Sequence, residues 1–263
     1  MELIDIGANL THDSFDADRD AVIARARNAG VGTMIVTGST VEVSRQALAL
    51  ARAYPDVLYS TAGIHPHHAG QAPGDARDSL RDLYAHPEVV AIGECGLDFF
   101  RNFSTPVDQE RVLRQQLELA CDLHAPVFLH QRDAHDRFIG ILRDYRPWLV
   151  RAVAHCFTGG ATELEDCLGL DLHIGITGWI CDERRGSHLK GLIPRIPVDR
   201  LMIETDAPYL LPRDLDPKPK TRRNESANLP HILAAVAAAA GRPIETLAAE
   251  TTANARRFFA LSG

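Results

Sequence analysis

Short runs of Val, Ile, Leu and Ala alternate along the chain with longer stretches whose apolar residues recur every three or four positions. The short runs fall at residues 2–7, 32–38, 57–63, 89–94, 126–130, 151–156, 172–177 and 200–205, and their length and composition predict eight strands. The longer stretches predict helices. In DRDAVIARARNAG, for example, Val22, Ile23, Ala26 and Ala29 share one face, and Gly30 stands where a helix closes on a left-handed residue. Similar segments follow the other runs, including STVEVSRQALALARAY, PVDQERVLRQQLELACDLH, a short stretch near 187–193 and the Ala-rich NLPHILAAVAAAAG. Eight strand–helix units with parallel strands and right-handed crossovers predict an α/β fold of the TIM (β/α)8 barrel type. The tail PIETLAAETTANARRFFAL adds one or two helices beyond the eight units. At 263 residues the chain has the usual size of one closed barrel, so a single domain over residues 1–263 is expected.

Composition narrows this without redirecting it. Apolar residues at 45% and charged residues at 24% are ordinary globular values, and no segment is apolar for long enough to span a bilayer. The start of the chain lacks the basic and apolar regions of a secretory signal. Five cysteines without a C-x-x-C pair argue for reduced thiols, so a cytoplasmic protein with no membrane partner is expected. A net charge of −7 excludes a generally adhesive nucleic-acid binder, and any phosphate partner has to be met by a local basic patch.

Barrel enzymes place their chemistry at the C-terminal ends of the strands. Here the third strand runs into His65, the fourth ends in Gly93-Glu94-Cys95-Gly96-Leu97-Asp98, the fifth at His130, the sixth at His155 and the eighth at Asp206. Burying carboxylates beside imidazoles costs several kcal/mol, about what a bound divalent cation offsets. Glu94, His130 and His155 supply two nitrogens and a carboxylate, a ligand set that leaves positions open. Asp206 then serves as general base on an attacking water or as a further ligand. Histidine ligands favour Zn²⁺ or Mn²⁺, whereas oxygen ligands and a phosphate substrate favour Mg²⁺.

GIHPH, IGECGLDF, PVFLHQRDAHD, HCFTG and IETDAPYL, in that order and at strand spacing, resemble the TatD family of metal-dependent nucleases within the amidohydrolase-type barrels. GLDFFRNFSTP, ITGWICDERRG and LLPRDL bring the resemblance closest to TatD proper, over nearly the whole chain. It implies a cytoplasmic, divalent-metal-dependent 3'-5' exonuclease acting on single-stranded DNA, with RNA as a further substrate. By position it implies that Glu94, His130 and His155 are metal ligands, Asp206 a catalytic and metal-binding aspartate, and His65 the active-site histidine of the third strand. One departure stands out. Where most relatives open with Asp-x-His-x-His, this chain has Asp5-Ile6-Gly7-Ala8-Asn9, so the paired imidazoles of a second metal are missing. One tight ion is therefore expected, with at most a loose second ion arriving with the substrate between Asp206, a Glu94 oxygen and Asn9.

Cations for the substrate's phosphates gather after the last strands: Arg184 and Arg185, then Arg213, Lys218, Lys220, Arg222 and Arg223, with Arg132 directly after the fifth strand. An acidic chain with cations on its catalytic face suits the 3' end of a single strand. Trp179 and Tyr209, together with Phe99, Phe100 and Phe103, are placed to stack on unpaired bases. His67, His68 and His135 read as loop or supporting residues, and Cys95, Cys156 and Cys181 as packing. Nothing in the composition calls for a partner subunit, so a monomer is expected. Two other readings are open at this stage: a metal-dependent amidohydrolase or esterase on a small substrate, and a barrel kept only for binding.

Overall fold

A computed structural model describes residues 2–261. Eight strands, β1 (Leu3–Ala8), β2 (Val31–Val36), β3 (Leu58–Ala62), β4 (Val89–Asp98), β5 (Val127–Arg132), β6 (Ala152–Ala154), β7 (His173–Ile176) and β8 (Leu201–Ile203), form one sheet in sequential order. Between and after them lie α1 (Arg19–Asn28), α2 (Val41–Ala53), α3 (Ala76–Tyr84), α4 (Pro106–Leu123), α5 (His135–Tyr145), α6 (Ala161–Gly169), α7 (Ser187–Leu192) and α8 (Leu229–Ala240), and then an additional helix, α9 (Ile244–Phe259). The first and last strands meet at a parallel bridge between Ala8 and Ala207. Beside it the Asp206 N–H donates to the Gly7 carbonyl at 2.8 Å. This is the barrel-type parallel sheet that the alternation of runs implies. Among the described residues no single helix is long and apolar enough to cross a membrane.

The chain groups into two compact units. One comprises the residues through Val36, Cys156–Leu164 and the chain from His173 onward; the other comprises Thr37–His155 and Glu165–Leu172. In the first, β1 and β8 are tied by a fully buried carboxylate. Asp5 accepts hydrogen bonds from the backbone N–H and the hydroxyl of Thr205 and from the Gly7 N–H. Gly30, at φ +90°, ends α1 as its sequence position predicts.

In the second unit β4 outruns its apolar run of 89–94. It continues past Glu94 to Asp98, pairing with β5 as far as Asp98 beside Arg132. The reason is close approach. A Cβ on Gly96, at φ +158°, would stand 1.8 Å from the His130 carbonyl oxygen, and only glycine lets the two backbones come this near. The register slips by one residue between Gly93 and Cys95, leaving Glu94 as the additional residue of a β-bulge. Bulges re-aim single side chains, commonly beside functional sites.

Helix α4 holds the strand ends in place. Thr105 caps it by accepting the Asp108 N–H at 3.2 Å, and Pro106 opens its first turn. On its buried face two glutamines sit among Val112, Leu113 and Leu117. Gln116 accepts the Ile64 N–H at 2.8 Å and donates to the Ile64 carbonyl at 3.0 Å. Gln109 treats Asp98 the same way, at 2.8 and 3.1 Å. Each satisfies backbone groups at or just beyond a strand end, Asp98 closing β4 and Ile64 following β3.

Candidate metal centre

Four side chains from the ends of β3, β4, β5 and β6 converge in the second unit. Glu94 Oε1 lies 2.9 Å from His130 Nδ1, 3.2 Å from His155 Nε2 and 3.4 Å from His65 Nε2. His65 reaches this position because its other ring nitrogen, Nδ1, accepts the His67 N–H at 3.1 Å and caps the turn Pro66–Gln71. His155 is set by its own N–H, which donates to the Leu129 carbonyl at 2.9 Å. Ligand atoms of His65, Glu94 and His130 all lie within 4.8 Å of one another.

Burial alone would raise the Glu94 carboxyl. The facing His65 and His155 rings and the hydrogen bonds from His130 and His155 outweigh it and hold Glu94 well below the ordinary carboxylate range. The imidazoles divide. Burial drives His65 well below its usual value, whereas His130, also disfavoured by burial, is raised by Asp98 and Glu94. His130 Nε2 is buried without a hydrogen-bond partner, 3.8 Å from Asp98 Oδ2. An anionic oxygen ringed by three imidazole nitrogens, with a buried nitrogen left unpaired, is a donor set that a divalent cation fits. A metal-binding site is present.

Asp98 was not legible as a site residue. Its Oδ2 lies 2.7 Å from His67 Nε2, and its Oδ1 accepts the N–H groups of Phe100 and Arg101 at 3.0 and 2.8 Å. Burial would raise this carboxyl too, but the facing His130 ring and the hydrogen bond from His67 bring it far down. The sequence clue was the pair of glutamines seven residues apart on the apolar face of α4, which mark a strand-end backbone needing partners.

In the first unit Asp206 follows β8 in a left-handed conformation, at φ +54°. Asn9 Nδ2 donates to Asp206 Oδ1 at 3.0 Å. The amide therefore turns its N–H to the carboxylate. The fully buried acid of this stretch is Glu204, which accepts the Cys156 N–H.

The expected cations are distributed unevenly. Arg184, Arg185 and Arg213 surround the buried Asp182 at 3.5, 2.9 and 3.8 Å. Burial would raise that carboxyl, but the Arg184 N–H and the Arg185 guanidinium hold it below its usual value. Arg185 also lies over the Trp179 ring, 4.3 Å from its centroid. Lys218, Lys220 and Arg222 are exposed. Arg223 is held by Asp18 at 2.7 Å and Glu225 at 2.8 Å. In the second unit Arg132 stacks over Phe100 at 3.9 Å, and Phe103 packs its edge on His67. Tyr209, 50% exposed, meets His12 edge to face at 5.7 Å.

Imidazoles and a carboxylate gathered at the ends of parallel barrel strands define the class as metal-dependent hydrolases. A family model described as TatD related DNase matches residues 4–260, and the chain belongs to that family. It is 57% identical over 259 residues to the 3'-5' ssDNA/RNA exonuclease TatD of Erwinia tasmaniensis, covering 98% of this chain and 100% of that protein. It is 54% identical to the protein of the same name from Pectobacterium parmentieri, over 99% of this chain and 100% of that one. Among solved structures, the TatD homolog YjjV of Escherichia coli superposes with a TM-score of 0.90 at 28% identity, over 99% of this chain and 98% of that one.

Proposed function

We propose that the protein is a divalent-metal-dependent exonuclease that removes nucleotides from the 3' end of single-stranded DNA, and of RNA. The observation that carries this reading is the Glu94 oxygen held among His65, His130 and His155. The 57% identity to the Erwinia exonuclease supports the substrate class. Glu94, His130 and His155 would hold one tight ion, with Asp206 as a further ligand or as the base, and His65 stands beside them as an active-site histidine. When bound, the ion supplies positive charge to the phosphoryl group undergoing attack, and Mg²⁺ is its working identity, with Mn²⁺ and Zn²⁺ as alternatives at a histidine-rich site. Asp206 takes the proton of the attacking water, and Asn9 orients its carboxylate.

Arg132, Arg184, Arg185, Arg213, Lys218 and Arg222 meet the phosphates, and Trp179 and Tyr209 receive unpaired bases. Asp182 sets the spacing of three of these cations. The whole chain acts as one domain, as a monomer in the cytoplasm.

The test is digestion of 5'-labelled single-stranded DNA with Mg²⁺, Mn²⁺ or Zn²⁺. A ladder shortening from the 3' end is expected, with the rate falling by about 100-fold or more in Glu94→Gln. No cleavage with any ion, or shortening from the 5' end alone, would overturn the proposal.

A further inference from the structure

Three groups that the proposed reaction leaves unused meet in the first unit. Cys181 ends the turn Gly178–Cys181 that follows β7, Asp214 lies in the loop after β8, and His231 is in the first turn of α8. One ligand atom from each lies within 4.8 Å of the other two. His231 Nε2 stands 2.7 Å from Asp214 Oδ1, and the Cys181 sulfur lies within 4.8 Å of a ligand atom of each.

Cys181 is 2% exposed, whereas the His231 and Asp214 side chains are 34% and 46% exposed. The sulfur therefore forms the floor of a site that solvent reaches from one side. It is no nucleophile. Burial and the Asp214 carboxylate push the thiol up to about 12, so it keeps its proton at neutral pH. Nor is it mere packing, because an apolar filler needs neither a carboxylate nor an imidazole beside it. Sulfur, imidazole nitrogen and carboxylate oxygen together form the donor set of zinc-class ions. The centre around Glu94 has no sulfur, so the two sites differ in chemistry.

We propose that Cys181, Asp214 and His231 form a second metal site, selective for thiophilic divalent ions of the zinc class. On binding, the ion replaces the proton of Cys181 Sγ, which passes to water. His231 gives a neutral ring nitrogen, Asp214 a carboxylate oxygen, and solvent fills the remaining position. The three ligands belong to three separate segments, so the ion fastens the turn after β7, the loop after β8 and α8 to one another. It thereby fixes one end of the stretch that carries Lys218 and Arg222. Only this last consequence rests on the nuclease reading; the site itself does not.

Co²⁺ is the probe, because thiolate ligation gives it an intense near-ultraviolet charge-transfer band that histidine and carboxylate ligands do not produce. The full-length protein titrated with Co²⁺ is expected to show this band and to lose it on addition of Zn²⁺. The band is expected to survive in Glu94→Gln and to vanish in Cys181→Ser. His231→Gln and Asp214→Asn keep the buried sulfur and alter only half-exposed partners, and each is expected to weaken Co²⁺ binding by about tenfold or more, the effect of losing one ligand contact. Absence of the band in the parent protein, its persistence in Cys181→Ser, or unchanged affinity in both partner variants would overturn the proposal. If Cys181→Ser does not fold, the two partner variants decide the question. None of these readouts depends on nuclease activity, so failure here and failure of the nuclease reading are distinguishable.

Discussion

A single carboxylate oxygen can organise a centre when everything around it is a potential proton donor. Glu94 Oε1 faces three ring nitrogens, and the second carboxylate, Asp98, stands behind two of the rings that line the site. Asp98 steadies His67 directly and faces the unpaired nitrogen of His130. Its replacement by Asn keeps the shape and removes the charge. Asp98→Asn is expected to weaken divalent-ion binding by about 10–100-fold, measured by calorimetry with Mn²⁺, without unfolding the chain. Unchanged affinity would show that Asp98 serves only its backbone neighbours. Glu94, His130, His155 and His65 were legible because their residue types fall where barrel strands end. His67 reads as a loop or supporting residue, and its contact with Asp98 is a supporting one; Asp98 reads only as the last residue of the fourth strand, because its partners His67 and His130 are 31 or more positions away in the chain. For Asn9 the sequence shows only an amide, which offers both an oxygen and an N–H, and the fold brings its N–H to Asp206.

At the scale of elements, placement of the site depends on irregularities that a hydrophobic pattern does not encode. The bulge at Glu94 arises in a strand that is buried throughout, so no alternation of polar and apolar positions marks it. The helices were easier to read because their period is carried by many residues at once. The exception within them is informative: Gln109 and Gln116 interrupt the apolar face of α4 to hold the backbones of Asp98 and Ile64. Gln116→Leu would leave the Ile64 N–H and carbonyl unpaired beside His65. At about 1–3 kcal/mol for each stranded group, a loss of about 2–6 kcal/mol is expected in denaturant unfolding. A variant as stable as the parent would mean that water reaches these groups.

For the whole molecule, the distribution of charge matters more than its sum. The net charge of −7 coexists with clusters in which acids hold arginines at set places. One such network joins Asp18, Arg25, Arg223 and Glu225. Hydrogen bonds from Arg223 and Arg25 prevail over partial burial and bring Asp18 down to about 2. A carboxyl lowered on folding contributes stability above its ordinary value of 3.8 and loses it as the pH falls through 2. The melting temperature of the parent is therefore expected to fall more steeply between pH 4 and 2 than that of Asp18→Asn. Parallel curves would remove Asp18 from the acid response. Local charge clustering was visible in the sequence, but its pairing was not: Asp18 and Arg223 are 205 positions apart, and only folding brings them together.

The same long reach governs the order in which the protein can be assembled as it is synthesised. Asp5 is made well before its partner Thr205, which lies 200 positions later. At 5–20 residues per second that interval lasts about 10–40 s. Throughout it the first strand lacks the strand that completes its edge. His65, Glu94, His130 and His155, by contrast, lie in one uninterrupted stretch of a single unit and have all been made before β7 begins. In the nascent chain the metal ligands can meet while β1 still waits for β8. The carboxylate proposed to take the proton is among the last parts of the reaction machinery to be made.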